Sequence, residues 1–312
     1  MSGAGAHPPD AAGDPPAATR GSGVAQPPRP PSSVTLFTRR NPGSMADAIG
    51  QLATLCERTG VELRIPPEEV EKHQLQELRS ATLGAEPDGE THLALVLGGD
   101  GTILSTLRRF AGRDVPVFAL NFGQIGFLAT VERDDLEAGI ERALRGAFDV
   151  LALPALTIAT SGGDRVAVND VSFHRRQELR VAELAYSVDG QELGQVRCDG
   201  LVVATAAGST GYNLANGGPV LAWGVEGYVV SFIAPHTLTA RAIVVAPDAA
   251  LEVVNRSSSE PVDVVTDGRS VCTLDPLEHV ELRFRDGMAL LAQVSGASFY
   301  RRLRDKFGRL SD

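Results

Sequence analysis

What most limits how this chain folds is a change of rhythm near residue 147. Before it, short apolar runs alternate with stretches of helical spacing. VTLFT (34–38), VELRI (61–65), THLALVLGG (91–99) and VPVFALN (115–121) read as strands. MADAIGQLATLCERTG (45–60), residues 67–83, TILSTLRRFAG (102–112) and DDLEAGIERALRG (134–146) read as helices. Gly60 and Gly112 fall where helix C-caps belong, and the acids opening 134–146 suit the positive end of a helix dipole. Such alternation predicts an α/β fold with a parallel sheet covered on both faces. Beyond 147 the runs become short and β-like, as in RVAVNDVSF, QVRCDGLVVAT, GYVVSFIAP and HVELRFRDG, with one helical candidate at 213–222. The second part should therefore be β-rich. SFYRRLRDKFGRL (298–310) reads as a short helix or tail.

Residues 1–33 hold eight of the nineteen prolines in a background of Ala and Gly. Such a leader buries too little apolar surface to offset its ordering entropy, so disorder is expected there. It has neither the basic start nor the apolar core of a secretory signal, and no apolar run is long enough to span a membrane. These features predict a soluble cytoplasmic protein without a membrane partner. The net charge of −10 argues against a general nucleic-acid binder, which needs clustered basic charge. Cys56, Cys198 and Cys272 are far apart and form no CxxC pair, which excludes a disulfide framework or zinc site and predicts buried reduced thiols. Only Lys72 and Lys306 are lysines. Neither lies in a Gly-Lys-Ser/Thr loop or on a kinase-type strand, so ATP would have to be handled without either lysine device.

LGGDGT (97–102) links an apolar strand to a helix. Asp-Gly is a common turn, and this pair has counterparts at 88–89, 189–190, 199–200, 267–268 and 286–287. The alternative is a ligand loop. In an open α/β sheet, ligands bind at the carboxyl ends of strands. There glycine lets backbone N–H groups approach phosphate oxygens, and a helix N-terminus favours anions. An acid in such a loop repels phosphate, so Asp100 makes sense as a general base or a metal-facing group. ALNFGQIGFLAT (119–130) follows the next strand; it is not GxGxxG, and reads either as a plain loop or as the second wall of one crevice. RCDGLVVATAAGSTGYNLANGGP (197–219) runs from a strand into small, hydroxyl-rich residues, either a tolerant loop or a ligand-binding one.

LGGDGT, NFGQIGFL, VND, RCDG, GSTGYNLANGGP, APHTLTAR and TDGR, in this order, resemble the bacterial NAD kinases over roughly residues 34–307. GGDG alone is shared with diacylglycerol-type lipid kinases and phosphofructokinases; the combination with GSTxYxxxxGGP is specific. The resemblance implies transfer of the terminal phosphate of ATP, or of polyphosphate, to the 2′-hydroxyl of the adenosine ribose of NAD, giving NADP. It implies a divalent ion, usually magnesium, for which no protein ligand is assigned. It also implies a Rossmann-like α/β domain (34–147), a sandwich-like β-rich domain (148–292), and a tail (293–312) that returns to the first. NAD and ATP are the implied partners, in a homodimer or homotetramer.

Residue by residue, Asp100 matches the catalytic acid, and Gly98, Gly99 and Gly101 keep side chains clear of it. Thr102, Asn121 and Phe122 belong to the flanking ligand loops. Asn169 and Asp170 match an Asn-Glu pair that contacts NAD hydroxyls. Asp199 matches an NAD contact, and Arg197 a residue that reaches NAD of a neighbouring subunit. Ser209, Thr210, Gly211 and Tyr212 match the segment lining the adenine and nicotinamide regions. His236 lies near the site. The family's Thr-Pro-Thr is here Thr205-Ala206-Ala207, a change expected to loosen the loop. Gly211 stands for Ala, Asp170 for Glu, and Arg269 for Gln, where it adds positive charge. Two alternatives remain at this point: a non-catalytic NAD(P)-binding regulator, and a lipid kinase sharing GGDG.

Overall fold

The fold is read from a computed structural model, which describes residues 29–39, 45–87, 90–123, 126–132, 135–160, 162–176 and 181–308. Residues 1–28 of the Pro-rich leader lie outside these. Five strands form a parallel array: β1 (Ser33–Thr38), β2 (Glu62–Ile65), β3 (Ala81–Leu83), β4 (Leu93–Gly98) and β5 (Val117–Asn121), in the spatial order β3-β2-β1-β4-β5. All residues of β1, β4 and β5 are buried, as expected of strands covered on both faces. Successive side chains serve opposite faces. Leu93, Leu95 and Leu97 meet Leu52 and Ile140 of helices α1 (Ala46–Thr59) and α4 (Leu136–Leu144). Ala94 and Val96 meet Ile103 and Leu107 of α3 (Asp100–Arg109).

The single helix expected over 67–83 is instead α2 (Pro67–His73) followed by β3. Gln74 ends the helix in the left-handed region at φ 52°, Ser80 turns the chain again at φ 59°, and Ala81–Leu83 then pair in parallel with Leu63–Ile65. The helical candidate at 213–222 shrinks to α5 (Tyr212–Ala215), because Gly217 takes φ 75° just before Pro219.

The later strands are β6 (Val131–Glu132), β7 (Asp149–Thr160), β8 (Gly163–Ala167), β9 (Asp170–Arg175), β10 (Ala182–Val188), β11 (Gln191–Cys198), β12 (Gly200–Ala204), β13 (Tyr228–Ile233), β14 (Ile243–Val245), β15 (Leu251–Asn255), β16 (Val262–Thr266), β17 (Arg269–Leu274) and β18 (His279–Gln293). Six of them form a separate antiparallel sheet, β14-β13-β12-β9-β16-β17. It packs on the wing β11-β10-β15-β18 of the main sheet through Phe173, Leu201 and Val230 on one side and Leu184, Val253 and Leu282 on the other. This is the sandwich. The long strand β18 joins the parts: its early half pairs with β15, and Leu291 pairs in parallel with Val117 of β5. The last helix, α6 (Phe299–Phe307), sets Phe299 and Phe307 against Phe127, 6.0 and 5.8 Å between ring centroids.

Candidate active site

Strand order reverses between β1 and β4, the switch point where a crevice opens at the carboxyl ends of an open α/β sheet. A cavity of about 830 Å³ lies there. Phe37 and Thr38 line it from the end of β1, Gly99, Asp100, Gly101 and Thr102 from the β4–α3 junction, and Arg269 from the β-rich part. Gly98 is a steric requirement, whereas a Cβ on Gly99 or Gly101 would meet nothing closer than 3.8 Å. A Cβ on Gly98 would sit 2.8 Å from the Thr102 side chain, and Gly99 and Gly123 approach backbone to backbone. Asn121 ends β5 beside Gly98; its amide oxygen accepts from Gly123 N–H at 2.9 Å and its amide nitrogen donates to Glu132 at 2.8 Å. Phe122 is buried, and its N–H donates to Gly98 at 3.0 Å.

Asp100 opens α3, where the helix dipole favours its charge. Its carboxylate faces the loop after β5 and accepts from Phe127 N–H at 2.9 Å and Leu128 N–H at 3.2 Å. Gly126 permits this, because a Cβ there would overlap the carboxylate. The cavity is rich in cations that composition does not single out. Arg108 faces Asp267 at 3.7 Å, Arg109 pairs with Glu68 at 2.9 Å, and Lys72 pairs with Glu69 at 2.6 Å. Lys72 thus lines the cavity without being part of a Gly-Lys-Ser/Thr loop. Arg269 donates to Ser105 of α3 at 2.9 Å.

Asp267 ties this cavity to the second cluster. Its side chain is fully buried and accepts N–H groups of Val168 (3.0 Å), Asn169 (2.8 Å) and Asp170 (3.1 Å). Asp170 is buried beside it, and its carboxyl is pushed up to about 7, by burial first and then by the Asp267 charge. The Asn169 side-chain oxygen is buried and has no hydrogen-bond partner among the described residues. Tyr212 is half-exposed, stacked on His174 at 5.7 Å, and close enough to Asp170 and Asp199 for their charges, after burial, to raise its hydroxyl's pKa. Asp199 pairs with Arg175 at 2.5 Å. Asn169, Asp170, Asp199 and Tyr212 therefore share one neighbourhood. Arg197 is exposed on the edge strand β11, and its carbonyl accepts from exposed His236 N–H at 2.7 Å.

The segment after β12 is tied down by packing. Ala206 and Ala207, where loosening was expected, are both buried, the first against Leu221 and Val229, the second in the cluster of Phe37 and Leu107. Thr205 donates to Val168 at 2.6 Å, and a Cβ on Gly208 would overlap the Asn169 backbone. Ser209 is fully buried; its hydroxyl donates to Ala206 at 2.8 Å and accepts from Leu221 N–H at 2.9 Å, so it holds the loop together. Thr210 is half-buried and Gly211 exposed at the same turn.

The Asp170 carboxyl leads to a pH prediction. Its ordinary value is 3.8 and its folded value about 7, so between these the folded chain holds a proton that the unfolded chain has released. Stability therefore falls as pH rises from about 4 to about 7 and levels off above. Asp170→Asn removes this slope, and its urea midpoint should gain on wild type between about pH 5 and about pH 8.

Comparison with known proteins identifies the family. The ATP-NAD kinase N-terminal domain family matches residues 56–148, and the ATP-NAD kinase C-terminal domain family matches 168–291. The NAD kinase of Gemmatimonas aurantiaca is 34% identical over 220 residues, covering 69% of this chain and 76% of that protein. The NAD kinase of Nitratidesulfovibrio vulgaris is 36% identical over 225 residues, covering 70% and 78%. The chain belongs to the NAD kinase family. Its activity is that of an NAD kinase, a phosphotransferase with an alcohol acceptor, which sets aside the lipid-kinase and non-catalytic alternatives. The fold agrees. Yeast NADH kinase, crystallised with NADH, superposes with TM-score 0.80 at 22% identity over 91% of this chain and 89% of that one. The Archaeoglobus fulgidus NAD kinase in complex with ATP superposes with TM-score 0.68 at 24% identity over 88% and 98%. Among the described residues no helix is long and apolar enough to cross a membrane.

Proposed function

We propose that the NAD kinase reaction runs across the junction of these two clusters, with Asp100 as general base. The observation that carries this is the Asp100 carboxylate lining the switch-point cavity, held by two backbone N–H groups, with Arg108, Arg109 and Arg269 lining the same cavity. The terminal phosphates of ATP lie in the cavity against Gly99, Gly101, Thr102 and Arg269, where bare backbone and positive charge meet an anion. Asn169, Asp170, Asp199 and Tyr212 hold NAD. A ribose hydroxyl is a poor nucleophile near neutral pH. Asp100 takes its proton as the bond from the 2′-oxygen to phosphorus forms; the bond to the leaving oxygen breaks, and its electron pair stays on ADP.

A divalent ion such as magnesium fits as a companion of the phosphate chain. Magnesium takes one or two carboxylates plus phosphate oxygens rather than an all-protein cage. Among the described residues no group of three or more His, Cys, Asp or Glu is arranged to hold a metal. Thr102, which lines the cavity next to Asp100, would hold the ion together with the phosphate oxygens, leaving the Asp100 carboxylate free to act as the base. When bound it neutralises charge on the transferred phosphoryl group. We further propose a cytoplasmic homodimer or homotetramer, with exposed Arg197 on β11 reaching NAD of a neighbouring subunit. Light scattering of the purified protein tests the assembly: a monomer at assay concentration refutes it.

The direct test is NADP formation from NAD with magnesium and either ATP or polyphosphate. Turnover with ATP that disappears in Asp100→Asn supports the assignment. ATP turnover that survives that substitution refutes the base.

A further inference from the structure

Arg302 lies on α6, beyond both matched domains. Its guanidinium is half-buried over the Trp223 ring, 5.5 Å from the centroid. It donates to the carbonyls of Phe127, at 2.8 Å, and Ala129, and to the side-chain oxygen of Gln293. The carbonyls of Phe127 and Ala129 bracket Leu128, and the N–H groups of Phe127 and Leu128 are the two that hold the Asp100 carboxylate. One short peptide segment is thus gripped by Arg302 through its carbonyls and grips Asp100 through its amides. The rest of α6 adds to the hold: Phe299 and Phe307 pack on Phe127, and Lys306 sits 4.8 Å over its ring. The Arg302 charge is within electrostatic range of the site. Burial lowers its pKa, and the charges of Asp100 and Glu132 oppose that.

We infer that Arg302 is a positioning residue for the phosphotransfer, fixing the Gly126–Thr130 segment so that its amides aim the Asp100 carboxylate. The inference rests on Asp100 being the base. One terminal nitrogen, Nη1, donates to both loop carbonyls and the other, Nη2, to Gln293, so the planar guanidinium ties the loop to β18 in a fixed geometry. Lysine lacks that geometry. A misplacement of about 1 Å in a catalytic group costs on the order of a hundredfold in rate, so loss of the support should appear in kcat rather than in substrate binding.

Arg302→Met is expected to lower kcat between about tenfold and about a hundredfold, with KM for NAD and for ATP nearly unchanged. Arg302→Lys should recover only part of this, and millimolar guanidinium added to Arg302→Ala should restore part of it. Gly126→Ala attacks the same contact from the other side, since its Cβ overlaps the Asp100 carboxylate. Combined with Arg302→Met it should cost clearly less than the product of the two single losses, because both act through one element. A purely structural role for Arg302 predicts multiplicative losses and no guanidinium rescue. Wild-type kcat in Arg302→Met, or multiplicative losses in the double variant, overturns the inference. Asp100→Asn is run alongside. If it retains turnover, the assignment of the base has failed; if it is dead while Arg302→Met is fully active, only the positioning role has failed.

Discussion

Asp100→Asn should reduce kcat for NADP formation by about a hundredfold to ten-thousandfold, the range over which a positioned general base contributes, while NAD still binds. The size follows from the geometry. Asparagine keeps the shape and one acceptor oxygen, so one of the amides of Phe127 and Leu128 stays satisfied. It cannot take up the proton of the 2′-hydroxyl. Asn169, Asp170 and Tyr212 are untouched, so calorimetric titration with NAD should give an affinity within a few-fold of wild type. Equal losses in kcat and affinity would point instead to a collapsed loop.

The largest stability effect is expected at Asp267, not at the catalytic acid. Asp267→Ala leaves the N–H groups of Val168, Asn169 and Asp170 without their carboxylate and Arg108 without its counter-ion. Removing one partner of a buried charged pair costs about 3–5 kcal/mol, equivalent to a fall in melting temperature on the order of 10 °C for a protein of this size. Asp267→Asn retains an acceptor oxygen and should lose less. A melting curve for Asp267→Ala within about 2 °C of wild type would show that water or another acceptor replaces the carboxylate. The variant should also bind NAD more weakly, because the three amides belong to the segment carrying Asn169 and Asp170.

Local signals are legible in proportion to how strongly they constrain the backbone. Leu93–Gly98 is apolar throughout because both faces are covered, so the strand and the glycine loop after it stand out from the residues alone. The edge strand β3 is hidden, since Ala81–Leu83 is only three residues long and follows a segment with helical spacing. The left-handed conformations at Gln74, which caps α2, and at Ser80, which turns the chain into β3, fall on residues other than glycine. Asp267 reads as half of an Asp-Gly turn, and its φ of 45° agrees with one. Its bonds to backbone about a hundred residues away leave no trace in composition, because any residue supplies an N–H. Arg302 is invisible for the same reason: its acceptors are carbonyls on the far side of the sequence. Ser209 shows how a hydroxyl can also hold its own loop. A hydroxyl in a glycine-rich stretch reads as a ligand contact, yet its partners are the loop's own Ala206 and Leu221.

The central claim is that the adenosine 2′-hydroxyl of NAD is deprotonated by Asp100 and receives the phosphoryl group. The most direct measurement follows label from ATP carrying a radioactive terminal phosphate, with NAD or with its analogue lacking that 2′-hydroxyl, in wild type and Asp100→Asn. The account predicts label in NADP only with wild type and intact NAD. Label appearing on the analogue, or in NADP at the wild-type rate with Asp100→Asn, would contradict it.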